Sequence, residues 1–120
     1  MRPYVLTVLL LASAANATTL TTGVGISIGN NGRCEVLNAS TKPVEVDSVT
    51  FIRPSGATAA INSNTCTFPG EISPGLACSV ATTEGGLYRC QVVTKGNSKS
   101  IRVDLLLFDA GGGVTVLEGR

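Results

Sequence analysis

Residues 87–94 read Leu-Tyr-Arg-Cys-Gln-Val-Val-Thr, and this stretch decides the fold. Tyr88, Cys90 and Val92 fall on one side of an alternating pattern whose period of two residues is that of a β-strand with one buried face. Far upstream, Cys34 lies at the start of a second strand of the same kind. An inward-facing cysteine on an early strand and another on a late strand favour two sheets that face each other and share a disulfide.

The first seventeen residues have the pattern of an export signal. Arg2 provides a positive charge, residues 4–12 form an apolar run, and residues 15–17 read Ala-Asn-Ala, the small-x-small pattern that signal peptidases recognise. The apolar run is shorter than the roughly 20 residues that a membrane-spanning helix needs. The sequence therefore predicts a signal peptide at residues 1–17 and a single secreted or periplasmic domain at residues 18–120, without membrane contact once the leader is removed.

Composition excludes several classes of function. Removing Arg2 with the leader from the nine basic residues leaves eight, which equals the eight acidic residues, and neither sign clusters along the chain. A nucleic-acid-binding surface would need a basic stripe, so we expect no nucleic-acid partner. The chain has no histidine and no Cys-x-x-Cys pair, the usual sources of zinc ligands, and we expect no metal or other cofactor.

The domain after the leader has the pattern of an all-β protein. It contains no long helical period with caps, and turn residues recur about every dozen positions. We expect about seven short strands in a two-sheet antiparallel sandwich. The apolar phase shifts by an odd step between Val46 and Val49, which predicts a β-bulge near Asp47-Ser48.

The beginning of this domain is expected to be an edge. Residues 18–22 are predicted to form a frayed lead-in to the first strand. In the strand that follows, Val24, Ile26 and Ile28 share one face. Glycines on the opposite face indicate an edge strand that lies close to another backbone.

Four cysteines permit three disulfide pairings, and the sequence alone proves none of them, although the positions of the residues favour one. An even number of cysteines in a short exported chain favours disulfides over redox chemistry. Cys34 and Cys90 are placed to cross between facing sheets, whereas Cys66 and Cys78 flank a short segment with two Pro-Gly dipeptides. Each dipeptide fits a turn with positive φ at the glycine. We therefore favour the pairs Cys34–Cys90 and Cys66–Cys78, the second of which closes a loop at its base.

The residues around Cys90 resemble those of the immunoglobulin-like sandwich. In that fold a tyrosine two residues before the second cysteine, here Tyr88, hydrogen-bonds back to nearby backbone. A tryptophan packs on the disulfide of antibody domains; this chain has none, and Phe51 is expected to fill that space. The resemblance implies an immunoglobulin-like sandwich of about seven antiparallel strands.

The chain also resembles a group of small exported bacterial proteins without a characterised role. The shared pattern is Cys34…Cys66, then Ser73-Pro74-Gly75-x-x-Cys78, then Tyr88-Arg89-Cys90 ahead of a Lys-Gly turn. This resemblance names no activity.

Catalysis is not expected. The most common general base, histidine, is absent, which leaves carboxylate pairs as candidates for acid–base chemistry. The nearest in sequence are Asp104 with Asp109 and Glu45 with Asp47. In the predicted strand, Glu45 and Asp47 face solvent, the ordinary place for charged side chains.

Recognition of another protein is the remaining class, and the loop between Cys66 and Cys78 is the candidate contact. Its apolar residues Phe68 and Ile72 either fold under the loop or project as a contact patch. We expect a secreted, non-enzymatic module that binds a protein or is structural. The alternative is a secreted enzyme inhibitor that inserts this loop, because disulfide closure lowers the cost of ordering it. Asn38-Ala39-Ser40 also matches a glycosylation sequon, whose use the sequence leaves open.

Overall fold

The computed structural model describes residues 17–29, 31–95, 99–109 and 111–119. Apart from Ala17, the predicted signal peptide lies outside the described residues. Within them no helix is present, and hence none that could span a membrane. The strands are β1 (Ala17–Thr21), β2 (Gly25–Ser27), β3 (Gly32–Asn38), β4 (Val44–Ile52), β5 (Thr58–Ala59), β6 (Ser63–Asn64), β7 (Gly70–Ile72), β8 (Ala77–Thr82), β9 (Gly86–Lys95), β10 (Ile101–Phe108) and β11 (Val114–Gly119).

The strands form two antiparallel sheets, which confirms the all-β prediction. The β9 sheet has the order β1-β9-β4-β5, with β2 also paired to β9 and β7 also paired to β4. The β3 sheet has the order β11-β10-β3-β8-β6. The strands outnumber the expected seven because short pieces such as β5, β6 and β7 pair along longer neighbours.

The core lies between the inner faces of the two sheets. Cys34 on β3 and Cys90 on β9 are fully buried and joined by a disulfide with a Cα–Cα distance of 5.9 Å. Phe51 lies directly opposite Cys90 in the pairing of β4 with β9, and its ring packs edge-on against Tyr88 at a centroid distance of 5.3 Å. Burial of each large apolar side chain here stabilises the folded state by about 1.5–3 kcal/mol. The predicted cross-sheet disulfide and the position of Phe51 beside it are confirmed.

The predicted β-bulge is present in β4. Val46 pairs with Thr94 but Ser48 pairs with Val93, so the register shifts between these two positions. The extra residue lets both Val46 and Val49 point into the core, where each is about 1% exposed. The odd apolar spacing therefore reports a real irregularity in the ladder.

The expectation of a frayed lead-in at residues 18–22 is wrong. Residues 17–21 form β1, which pairs with β9 from Ala17 opposite Lys95 to Thr21 opposite Gln91. Leu20 faces the core and is 9% exposed. Threonine has a high strand propensity on a half-buried surface. This polar segment therefore forms an edge strand with one inward-facing leucine, Leu20.

Strand β2 lies at a sheet edge, with glycine on one face and apolar side chains on the other, as predicted. The glycine face was expected to lie close to another backbone, but its neighbours are side chains. A Cβ at Gly25 would overlap the side chains of Leu107 and Leu117, so this glycine packs against side chains of the opposite sheet rather than against another backbone. The other face is exposed, with Ile26 57% and Ile28 74% accessible. An apolar face of β2 therefore points into solvent.

Candidate functional site: the loop closed by Cys66 and Cys78

The segment between Cys66 and Cys78 passes from one sheet to the other and back. It leaves β6 in the β3 sheet, pairs as β7 with Val44–Val46 of the β9 sheet, and returns as β8. The disulfide between its ends has a Cα–Cα distance of 4.9 Å, as predicted for a loop pinned at its base. The backbone beside it is also paired, since Thr65 N donates to the Ser79 carbonyl at 2.8 Å.

The two Pro-Gly dipeptides in this loop have different roles. Gly75 has a φ of 76°, and Leu76 N donates to the Ser73 carbonyl at 3.1 Å, which is the predicted turn. Gly70 has no positive φ and begins β7 instead, after a cis bond between Phe68 and Pro69. A Cβ at Gly70 would overlap the Thr67 carbonyl, so glycine is needed there for close approach rather than for backbone conformation.

Asn38, at the end of β3, holds the loop through hydrogen bonds. Its side chain is fully buried at the end of β3, and its Nδ2 donates to the carbonyls of Lys42 and Ile72, each at 2.8 Å. Its Oδ1 accepts from the backbone N of Ser40 at 2.9 Å and from the Ser40 hydroxyl at 2.6 Å. Its backbone carbonyl accepts from Gly75 N at 2.8 Å. A buried amide with this many partners rigidifies its surroundings.

The same contacts answer the question raised by the sequon. Both Nδ2 hydrogens of Asn38 are used inside the protein, so a glycan on that nitrogen is incompatible with the folded domain. The sequence signal for this structural role is the inward register of Asn38, on the same face of the strand as Cys34 and Val36.

The structure places the two predicted contact residues against the core. Ile72 is 8% exposed and belongs to the core cluster, and Phe68 is half-buried against it. This is the arrangement in which both fold under the loop, and contact between these residues and a partner stays a prediction. Leu76, in the same loop, is 58% exposed. Sequence reasoning missed it, because its exposure depends on the turn that Ser73 and Gly75 form.

The cavity at the loop is smaller than most small-molecule pockets. It has a volume of about 180 Å³ and is lined by residues that include Cys66, Glu71, Ile72, Leu76 and Cys78. Ligand pockets usually have about 300–1,000 Å³. The loop is held in place by the disulfide, by β7 and by Asn38, and the cavity beside it is small.

Of the carboxylate pairs considered for catalysis, Asp104 and Asp109 are not brought together. Asp104 and Asp109 are five residues apart along an extended chain, roughly 16 Å, whereas carboxylate pairs in glycosidases are about 5–9.5 Å apart. Asp109 Oδ1 accepts from the backbone N of Gly111 at 2.9 Å and of Gly113 at 2.7 Å, so it closes the turn before β11. Glu45 forms an ion pair with Lys95 at 3.4 Å. Among the described residues, no group of three or more His, Cys, Asp or Glu side chains could hold a metal ion.

A polar cluster near the start of β9 also has a structural role. The Tyr88 hydroxyl donates to the Glu84 carbonyl at 3.2 Å, the backward hydrogen bond that its position before Cys90 predicted. Arg53 donates to the Glu84 carboxylate at 2.6 Å. A hydrogen bond from Ala60 N and this contact with Arg53 hold the pKa of Glu84 below its ordinary value, whereas burial raises the pKa of Tyr88. The cluster joins the turns beside β4, β5 and β9.

No model of a known protein family matches the chain, and no curated protein is significantly similar to it.

Proposed function

We propose that the protein is an exported, non-enzymatic module of immunoglobulin-like architecture that works by binding another protein through the loop closed by Cys66 and Cys78. The observation that carries this proposal is the exposed Leu76 at the surface of a loop that the disulfide, β7 and Asn38 hold in place. An apolar side chain on a rigid loop loses little conformational entropy on binding. An aliphatic side chain that fills a pocket on the partner can anchor the centre of a protein interface.

The immunoglobulin-like part of the proposal has two supports. The disulfide between Cys34 and Cys90 joins the facing sheets, and the Tyr88 hydroxyl bonds back to the Glu84 backbone. Export is supported by the two disulfides, because such bonds persist in oxidising compartments.

The test is capture of a partner by the immobilised full-length exported protein, with a paired set of variants. Leu76→Asp is expected to weaken binding of a captured protein about tenfold or more, because a charge replaces the apolar contact. Ile61→Asp is the matched control, since Ile61 is 38% exposed and lies outside the loop. Partners bound equally by both variants and the unsubstituted protein would contradict the proposal.

The enzyme-inhibitor alternative is favoured by the same rigid loop and has its own readout. If the captured protein is an enzyme, its turnover is expected to fall on addition of the unsubstituted protein but not of Leu76→Asp. Binding without any change in turnover would exclude inhibition and leave the binding proposal intact.

A further inference from the structure

Arg89 is a cation whose side chain is only partly accessible to solvent. It lies on the outer face of the β9 sheet, and its Nε is buried without a hydrogen-bond partner. In the part of the chain that the structure describes, Arg89 forms no ion pair. A buried donor without an acceptor is unfavourable, so an acceptor from outside the chain would stabilise this side chain.

Exposed apolar side chains surround Arg89. Gly25 lies opposite Tyr88 in the pairing of β2 with β9, so the preceding residue, Val24, lies beside Arg89. Ile26 lies opposite Leu87 on the same outer face. Val24, Ile26 and Leu87 are 46%, 57% and 46% exposed. We refer to these three residues and Arg89 as the Arg89 patch.

The outer face of β11 carries the complementary features. Val114 and Val116 are 50% and 53% exposed, and Glu118 follows on the same face. Glu118 lies directly opposite Asp104, which lies opposite Glu35, so three acids form one row across the β3 sheet. Like charges at facing positions are destabilising. No cation described in the structure forms an ion pair with Glu118.

The Arg89 patch and β11 flank the same side of the sandwich. An antiparallel bridge between Thr22 and Gly119 places the two sheet edges side by side at one end. Further along, Ile26, Ile28 and Thr115 line one depression of about 140 Å³ between β2 and β11. Beyond the bridge, β11 pairs only with β10 among the described strands. It carries none of the lysines or prolines that usually protect an exposed edge.

We propose that a second copy of this chain covers these surfaces in a two-fold dimer. A 180° rotation about an axis parallel to the strands brings β2 of each copy beside β11 of the other. This operation keeps strand direction, so the two strands stay antiparallel, as they already are at the Thr22–Gly119 bridge. Each Arg89 then faces Glu118 of the second copy, and each Arg89 patch covers Val114 and Val116.

Charge complementarity selects a second copy as the occupant. The unpaired cation and the acid facing another acid belong to the same chain, so a two-fold contact compensates both charges twice. The contact also adds strand edge to strand edge, the mode by which exposed sheet edges associate. It lies apart from the Cys66–Cys78 loop, so it can fail without affecting the proposed partner binding.

Sedimentation equilibrium of the exported full-length protein, from about 1 μM to about 1 mM, tests the dimer. We expect a monomer–dimer equilibrium that weakens with added salt. Arg89→Glu and Glu118→Arg should each raise the dissociation constant about tenfold or more, and the double variant should return it to within about threefold of the unsubstituted value. Glu35→Arg is the matched control, since it makes the same charge change in the same acidic row but on the central strand β3.

A monomer throughout this range, open-ended polymers, or a dimer that neither single charge reversal weakens would overturn the proposal. Far-ultraviolet circular dichroism checks that each variant is folded. If a charge reversal unfolds the chain, Arg89→Gln and Glu118→Gln replace it, and both should weaken the dimer in the same direction.

Discussion

The two disulfides occupy opposite places in the molecule. Cys34–Cys90 joins β3 and β9, the central strands of the two sheets, and both residues are fully buried. Cys66–Cys78 spans only 12 positions and closes a loop at the surface, with each cysteine 9% exposed. The first bond therefore acts on the relation between the sheets, and the second acts on the shape of one surface loop.

This difference indicates where changes can be tolerated. Around Cys90, neighbouring side chains such as Phe51 and Tyr88 fill the core, so a change there disturbs the packing of both sheets. Around Cys78, Asn38 and β7 hold the loop independently of the disulfide. The core bond supports the fold, whereas the loop bond supports a surface that we propose to be functional.

Removal of the core disulfide has the largest expected effect. Its sequence separation is 56, and closure of a loop of that length stabilises a protein by about 4 kcal/mol. In urea unfolding, the free energy of unfolding of the Cys34→Ala, Cys90→Ala variant should be lower by at least that much, because removal of the buried sulfurs also leaves a cavity. If this variant lost less stability than the Cys66→Ala, Cys78→Ala variant, the loop disulfide and not the core disulfide would be the more important for the fold.

Removal of the loop disulfide comes next. For a sequence separation of 12, loop closure predicts about 3 kcal/mol in the Cys66→Ala, Cys78→Ala variant. Without this closure the loop should open locally more often, so limited proteolysis is expected to cut within residues 67–77 while the sheets stay intact. Cleavage elsewhere at the same rate would show that this bond also supports the core.

Tyr88→Phe sharpens the comparison on the core side. It removes the hydroxyl that bonds to the Glu84 carbonyl at 3.2 Å while leaving the ring against Phe51. We expect a loss of about 1 kcal/mol in urea unfolding, typical of one hydrogen bond. Thr50→Val is the matched control, because its hydroxyl makes a longer contact of 3.5 Å with the Gln91 carbonyl and should cost less.

Acidification should have the smallest effect, and it acts at the cluster beside the core rather than at the loop. The folded-state pKa of Glu84 is lowered, first by the hydrogen bond from Ala60 N and then by Arg53, so its stabilisation is present at neutral pH. It decreases as pH falls below the unfolded-state value of about 4.3. The thermal midpoint of Glu84→Gln should therefore fall less steeply below that pH than the midpoint of the unsubstituted protein. Glu71→Gln, the same substitution at an exposed loop glutamate, is the matched control.

Much of the fold was predictable because strands repeat every two residues. The alternation around Cys34 and Cys90 predicted their inward faces, and the odd spacing from Val46 to Val49 predicted the bulge. The features that were missed depend on neighbours distant in sequence. Residues 17–21 became β1 because β9 offered a free edge, and no local pattern encodes that edge.

The candidate site was predicted in outline only. The cysteine spacing predicted a pinned loop, but the burial of Phe68 and Ile72 beneath it follows from the pairing of β7 with β4. Asn38 begins a glycosylation sequon and also lies on the inward face of its strand. Only its contacts with Lys42 and Ile72 distinguish a structural amide from a modification site.

By itself the sequence determined the local periodicity, the turn chemistry and which cysteines lie on inward faces, because these depend on residues a few positions apart. The tertiary structure decided which strand edges meet and which apolar faces stay exposed. Gly25 and Ile26 illustrate the division: their alternation is local, but the presence of Leu107 and Leu117 across the sandwich turns the glycine inward and leaves the isoleucine in solvent. Burial is a property of the assembled sheets, since a side chain leaves water only when distant parts of the chain cover it.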